Sequence, residues 1–219
     1  MLTKHTLQFL EELSHNNTKS WFEQHRNRYT QAQSEIKSFI EIWSNEFGKI
    51  DESIAHLDPK KCIFRIHRDV RFSANKNPYK TNLGAYLYKG DKQANYAGYY
   101  LHIEPGNCFF AAGNYMPMPE QLAKIRQEID YNLHDFQKIL QQKQFKEIFG
   151  NISSENKLKR APKGYDEDNK AIEFLKLKSF VVSTKLSDEE ICAKSMQTSI
   201  IQLSKTVKPF VDFLNNALD

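Results

Sequence analysis

The sequence predicts an α+β fold, with helices packed on one face of a central antiparallel sheet of about four to five strands. Two observations predict it. Apolar residues recur at three- and four-residue steps near both ends of the chain, as in helices, and alternate with polar residues in the middle, as in strands. With 219 residues, of which 40% are hydrophobic, the chain can bury a core without a metal or a disulfide, so residues 1–219 are expected to form a single domain.

The N-terminal part is predicted to form a helical hairpin. Thr3 stands at the N-cap position of a first helix, and the polar residues 14–17 follow as a turn. A longer second helix is predicted from the spacing of its apolar residues, which are Phe22, Tyr29, Ala32, Ile36, Phe39, Ile40, Trp43 and Phe47. Two helices joined by so short a turn are expected to pack antiparallel.

The segment Cys62–Thr81 combines a strand pattern with a cluster of basic residues. Its side chains alternate, with Phe64, Ile66, Val70 and Phe72 on one face and Arg65, His67, Asp69 and Arg71 on the other. Arg68 breaks the alternation, because a regular strand would turn its guanidinium toward the apolar side. Either the strand ends or bulges near Arg68, or a carboxylate or a ligand meets the guanidinium inside.

The rest of the chain has clear start and stop signals. Further strands are predicted at 83–88, 96–104, 108–112 and 179–184. Pro119 is expected to begin one helix and Asn132 to cap the next, while residues 151–170 are expected to be an irregular connection. Ser187 and Glu190 form a capping box before a long C-terminal helix whose apolar stripe continues to Leu218.

Composition and motifs exclude several classes of protein. No run of about 18 apolar residues occurs, and the N-terminus carries acids in an amphipathic pattern, so neither a membrane partner nor a signal peptide is predicted. Cys62, Cys108 and Cys192 are far apart in the sequence, which favours a reducing compartment and a cytoplasmic location. The sequence has no P-loop, glycine-rich dinucleotide motif or Ser-His-Asp arrangement, and it therefore identifies no cofactor.

One stretch resembles the signature of a known family. It runs from Phe64 to Ser73 as FRIHRDVRFS and continues from Lys76 to Thr81 as KNPYKT. Three other stretches agree with it, namely Asn16-Asn17 followed by Trp21-Phe22, Tyr99–Pro105 and Ala161–Tyr165. Nearly the whole chain is therefore similar to the DUF2461 family, whose members have no known function, so the resemblance implies no particular reaction. The family pattern commonly has an aromatic residue where His67 stands and an acid where Asn75 stands, which argues against an essential imidazole or carboxylate there.

The basic cluster predicts a binding site for an anion. Residues 56–100 carry a net charge of +6, against +4 for the whole chain. Arginine binds carboxylates and phosphates through paired hydrogen bonds, and lysine adds a point charge. We therefore predict a site for a small phosphate- or carboxylate-bearing ligand, lined by Arg65, Arg68, Arg71, Ser73, Lys76, Tyr79 and Lys80. Asp69 would orient one arginine, and both a binding protein and an enzyme of unknown reaction fit this prediction.

His102 and Glu104 are the candidate catalytic residues. They are two positions apart on a predicted strand, so they would face the same side and move a proton on a bound anion. Together with His67 and Asp69 they would also supply four metal ligands. The neighbouring arginines would repel a cation, however, so no metal is predicted.

Two other functions fit the same segment. A nucleic-acid-binding module would combine the basic residues with stacking tyrosines, which are Tyr79, Tyr86, Tyr88, Tyr96, Tyr99 and Tyr100. This function predicts a flat basic stripe and binding that weakens steeply as salt rises. A non-catalytic interaction scaffold would instead have its arginines paired with the protein's own acids. A small ligand requires donors that converge on one point.

Overall fold

The computed structural model describes residues 1–55, 57–90 and 95–219, and within them it confirms the α+β class. Four strands form one antiparallel sheet and follow one another across it in chain order. They are β1 (Leu83–Tyr88), β2 (Gly98–Ile103), β3 (Cys108–Asn114) and β4 (Phe180–Leu186). All four overlap the strands predicted at these places. Among the described helices, none has the length and apolar character needed to cross a bilayer.

The predicted N-terminal helices are present, but the second one is interrupted. The helices are α1 (Lys4–His15), α2 (Lys19–Gln24) and α3 (Arg26–Gly48). His25 separates α2 from α3, and its Nδ1 atom lies 2.8 Å from the carbonyl oxygen of Trp21. Thr3 is the N-cap residue of α1 as predicted, but its hydroxyl donates to the Glu35 carboxylate at 3.0 Å and does not cap the backbone. This bond ties the start of α1 to α3.

Most of the later helices are short. They are α4 (Pro59–Cys62), α5 (Pro119–Tyr131), α6 (Leu133–Gln141), α7 (Lys143–Phe149), α8 (Ile172–Leu175), α9 (Asp188–Cys192) and the long α10 (Met196–Asn216), and a single 3₁₀ turn spans Glu52–Ile54. Pro119 begins α5 and Asn132 is the N-cap residue of α6, as the sequence predicts. The capping box is also confirmed, since the Ser187 hydroxyl accepts from the Glu190 amide and the Glu190 carboxylate accepts from the Ser187 amide.

The chain divides by its internal contacts into two compact units. The first comprises residues 1–87, 100–110 and 185–203, and Phe39, Trp43 and Phe110 are buried in it. The second comprises residues 88–99, 111–184 and 204–219, and the rings of Phe136 and Phe145 both lie against Phe210 there. The single domain stays a prediction. Every residue of the candidate site lies in the first unit.

The strand predicted from Cys62 to Phe72 is wrong. Only two isolated antiparallel bridges form in this stretch, Ile63 with Ala85 and His67 with Tyr79. The two bridges are four residues apart on one segment, from Ile63 to His67, and six apart on the other, from Tyr79 to Ala85. Because these spacings differ, a bulge at which the chain bends must interrupt the register. Pairing ends with the bond from the Arg68 amide to the Pro78 carbonyl oxygen at 2.9 Å. The extended pairing therefore bulges before Arg68 and ends there, which is the first of the two alternatives that the sequence left open.

The residues after Arg68 form a loop, 69–77, that leaves the sheet. As a result the predicted apolar face is not one face. Ile66 is 1% exposed, as predicted, but Phe64 is 45% exposed and Phe72 is 96% exposed. The alternating pattern is real, yet a strand requires a partner along its whole length, and beyond Arg68 none is present among the described residues.

Candidate functional site

Three of the predicted ligand residues bind the loop's own atoms. Arg68 donates to the Asn77 carbonyl oxygen at 3.0 Å and to the Ser73 hydroxyl at 3.3 Å. Lys76 donates through Nζ to the Val70 carbonyl oxygen, also at 3.0 Å. Arg68, Ser73 and Lys76 are thus brought together around loop 69–77, where they satisfy backbone acceptors that the sheet does not pair.

Arg71 has an acid partner on the same loop. Its Nε and an Nη atom lie 3.0 and 2.7 Å from the two carboxylate oxygens of Asp69. The Arg71 hydrogen bond holds the pKa of Asp69 below its ordinary value, and the pKa of Arg71 is raised in return. Because the Arg71 side chain is 76% exposed, this pair contributes little to stability. The sequence predicts that Asp69 orients an arginine, and Arg71 is the arginine that Asp69 binds.

Tyr79 lies in the core and not at the surface. It is 4% exposed, and its ring stacks on Phe22 with the ring centroids 4.0 Å apart. Its backbone is held by Asn17, whose side-chain amide donates to the Tyr79 carbonyl oxygen and accepts from the Tyr79 amide, both at 3.0 Å. These contacts explain why Asn17 and Phe22 accompany the central motif in the sequence. Burial raises the pKa of the Tyr79 phenol.

Arg65 and Lys80 are the predicted ligand residues whose charges stay unpaired. In the part of the chain that the structure describes, neither cationic group makes a hydrogen bond or an ion pair. The Lys80 ammonium lies 5.3 Å from the centroid of the Phe64 ring, and the Lys80 backbone amide donates at 2.8 Å to the carbonyl oxygen of Ile66, the residue after Arg65. Burial lowers the pKa of Lys80, and the positive charge of Arg65 lowers it further. Two neighbouring cations, one of them partly buried, each disfavour the charged form of the other.

A row of three hydrogen-bonded side chains lies next to this cation pair, on alternate residues at the end of β2. The Tyr100 hydroxyl is 2.8 Å from His102 Nδ1, and His102 Nε2 is 3.3 Å from a Glu104 carboxylate oxygen. The tautomer with the proton on Nε2 satisfies both contacts, since Tyr100 then donates to Nδ1 and Nε2 donates to Glu104. We call Tyr100, His102 and Glu104 the β2 row.

Glu104 anchors the β2 row. Besides His102, its carboxylate accepts from the Thr81 hydroxyl at 2.8 Å and from the Asn107 side-chain amide at 3.0 Å. Burial raises the pKa of Glu104, but the hydrogen bonds from Asn107, Thr81 and His102 outweigh it and hold the pKa below the ordinary value. Thr81 follows Lys80 directly, at the bend of the chain, and its hydroxyl donates to Glu104. Thr81 therefore connects the cation pair to the β2 row.

Aromatic rings cover the β2 row. His102 stacks on Phe109 of β3 with centroids 4.6 Å apart, and Tyr100 meets Phe64 edge-on at 6.0 Å. The Tyr100 hydroxyl sits over Gly84 of β1, where a Cβ atom would lie 2.8 Å from it. Burial raises the pKa of Tyr100 to about 12, so the phenol keeps its proton at neutral pH. Lys80 and Tyr100 therefore lie against the same Phe64 ring.

Sequence reasoning selected His102 and Glu104 but missed Tyr100 as a member of the site. The signal was present, because the three residues alternate along one strand and must face the same side. No group of three or more His, Cys, Asp or Glu side chains in residues 1–55, 57–90 and 95–219 is placed to hold a metal ion. His67 packs instead on the Tyr79 ring, with the centroids 5.2 Å apart.

The hydrogen bonds at Glu104 predict a pH dependence of stability. Because the native pKa lies below the ordinary value of 4.5, the carboxylate stabilises the protein above pH 4.5, and this contribution is lost as the pH falls through the native pKa. We expect Glu104→Gln to flatten the fall in the free energy of unfolding below pH 4.5, measured by urea denaturation across the acid range. Glu120→Gln, at the exposed start of α5, is the control, and equal acid slopes in wild type and Glu104→Gln would contradict the prediction.

The protein is thus of the α+β class, with a bulged basic segment beside β1 and a Tyr-His-Glu row at the end of β2. The chain belongs to the DUF2461 family, described as a conserved hypothetical protein, whose profile matches residues 5–213. This confirms the resemblance read from the central motif. Comparisons with curated proteins and with solved structures gave no match.

Proposed function

We propose that this protein binds a small phosphate- or carboxylate-bearing molecule through Arg65 and Lys80. The observation that supports it best is the unpaired state of these two cations among the described residues, with Lys80 partly buried against Phe64. Bringing like charges together costs free energy, and an anion between them would recover it. The proposal keeps the predicted ligand class but reduces the predicted set of seven residues to two that are available for contact.

The other cations of the segment favour a compact site over an extended one. Arg68 and Lys76 are engaged by loop carbonyl groups, and Arg71 is paired with Asp69. A nucleic-acid interface would need these charges as a continuous stripe along a phosphate backbone. The scaffold alternative accounts for Arg71 but leaves Arg65 and Lys80 without a role. A small anion uses the two charges that remain.

The test is calorimetric titration of the full chain with oxalate and with inorganic phosphate. We expect Lys80→Ala and Arg65→Ala each to weaken binding by about tenfold or more, since a hydrogen bond to an ionised group is worth about 1.5–3 kcal/mol. Lys76→Ala and Arg71→Ala remove the same charge from the same segment and are the matched controls. They should bind within about threefold of wild type, because only long-range, screened charge is lost.

Two results would refute the proposal. One is equal weakening by the controls and by Lys80→Ala, which would mean that the anions respond to the net charge of the segment. The other is the absence of binding heat for either anion with wild-type protein. Thermal melts of all four variants check that each is folded before its affinity is compared.

We also propose a cytoplasmic location. Burial raises the pKa of the Cys108 thiol to about 12, so this thiol is poorly reactive. Three cysteines that are few and far apart in the sequence support a reducing compartment.

A further inference from the structure

We infer that the β2 row is a proton relay that protonates an oxygen of the molecule held by Arg65 and Lys80, an inference that rests on the proposed function. The substrate class follows from the two parts of the site. One part takes a phosphate or carboxylate group. The other, Tyr100, would meet a carbonyl or leaving-group oxygen of the same molecule. Tyr100 is then the catalytic residue, and His102 and Glu104 are positioning residues that act through it.

The geometry sets the order of the relay. The Tyr100 ring and the Lys80 ammonium lie 6.0 and 5.3 Å from the centroid of the Phe64 ring, so a molecule bound at the cations that extends along this ring would reach the phenol end of the row. His102 comes next at 2.8 Å, and Glu104 closes the row at 3.3 Å. The His102 side chain is only 12% exposed, so the imidazole is shielded behind Tyr100 and Phe109.

The proton transfer balances within the row and solvent. With His102 as imidazolium, Nδ1–H donates to the Tyr100 oxygen, and the Tyr100 hydroxyl is free to donate to the substrate. The Tyr100 O–H bond breaks as the new O–H bond on the substrate forms, and the Nδ1 proton moves to the Tyr100 oxygen. Neutral His102 then regains its Nδ1 proton from a hydronium ion or a buffer acid in solvent, and the Glu104 carboxylate, which accepts from Nε2–H, stabilises the imidazolium before and after the transfer.

A purely structural role explains these contacts less well. Thr81 and Asn107 each hold one oxygen of the Glu104 carboxylate, so His102 is not needed to position it. The titratable groups that face His102 are Tyr100 of β2 and Glu104, which directly follows β2, and its cover from β3 is the uncharged Phe109 ring. A neutral side chain could fill the same space on Phe109, whereas a relay requires a group that gains and loses a proton.

The experiment measures proton uptake on anion binding. Full-length protein is titrated with oxalate near neutral pH, in two buffers whose ionisation enthalpies differ, so that the number of protons taken up per bound anion is obtained. Oxalate itself keeps both negative charges under these conditions. Wild type should take up a fraction of a proton, because the bound negative charge favours the imidazolium form of His102.

Variants separate the relay from the binding site. His102→Gln should still bind oxalate but take up no proton, and His102→Asn replaces it if that variant does not fold. Tyr100→Phe should bind oxalate about tenfold more weakly, because it lacks the hydroxyl that donates to the anion. Tyr131→Phe, at an exposed tyrosine, is the control and should match wild type.

The outcomes for the relay and for the binding site are distinct. Binding without proton uptake, or uptake that persists in both His102 variants, would overturn the relay and leave the Arg65–Lys80 site standing. If Tyr100→Phe binds oxalate with the affinity of wild type, Tyr100 does not contact the anion. If wild type binds no oxalate at all, the anion site fails and the relay fails with it.

Discussion

Gly113→Ala is expected to lower the free energy of unfolding by about 4 kcal/mol or more. Gly113 has φ +125°, which side-chain-bearing residues rarely adopt. A Cβ atom there would overlap the carbonyl oxygen of Phe180 and lie 2.9 Å from its carbonyl carbon. That carbonyl is backbone at the start of β4, so it cannot move aside without disturbing the pairing of β3 with β4. Urea denaturation of the two proteins measures the loss.

Gly106→Ala separates the two causes of this effect. Gly106 also has a positive φ, +72°, but no atom lies within 4 Å of a Cβ built on it. Its substitution carries only the cost of the backbone conformation, about 1–2 kcal/mol. If both alanine variants lose the same stability, the close approach of β3 and β4 at Gly113 does not exist as described.

Tyr79→Ala is expected to cost about 3–5 kcal/mol, because a large buried ring is removed and a cavity is left beside Phe22. The ring is 4% exposed and stacks on Phe22 at 4.0 Å with an interplanar angle of 14°. Tyr79→Phe keeps the ring and should lose less than about 1 kcal/mol. Chemical denaturation of both variants tests the difference.

The same pair of variants also tests the role assigned to Tyr79 by its sequence. Tyr79→Phe should bind oxalate as tightly as wild type, since the structure places the ring in the core and Arg65 and Lys80 are unchanged. A loss of binding in this folded variant would mean that the Tyr79 hydroxyl contacts the ligand, and it would contradict the assignment of Tyr79 to the core.

Hydrophobic periodicity predicts most of the fold because it reports directly on burial. The strands from Leu83 onward and α5, α6 and α10 follow from it together with Pro, Asn and Gly signals at their ends. Periodicity fails between Arg68 and Phe72, where the alternation continues after the chain has left its partner strand. Phe72 satisfies the pattern and is nevertheless 96% exposed, since no sequence pattern states where pairing ends.

The candidate site was predictable as a region but not as a set of contacts. The clustering of cations predicts the segment that contains Arg65 and Lys80, the two residues of the proposed anion site. Which donors are already used depends on local geometry, because Arg68 and Lys76 find backbone carbonyl groups only once loop 69–77 is folded. The alternation of Tyr100, His102 and Glu104 predicts that their side chains share one face. The position of the Tyr100 hydroxyl over Gly84 depends on the pairing of β1 with β2, which the sequence does not state.

A crystal structure of the protein grown with selenate tests the Arg65–Lys80 site most directly, because selenium locates the anion by anomalous scattering. We expect selenate oxygens at about 3 Å from both the Arg65 guanidinium and Lys80 Nζ, beside the Phe64 ring. Arg65 and Lys80 paired with the protein's own carboxylates, with no selenium peak between them, would contradict this expectation.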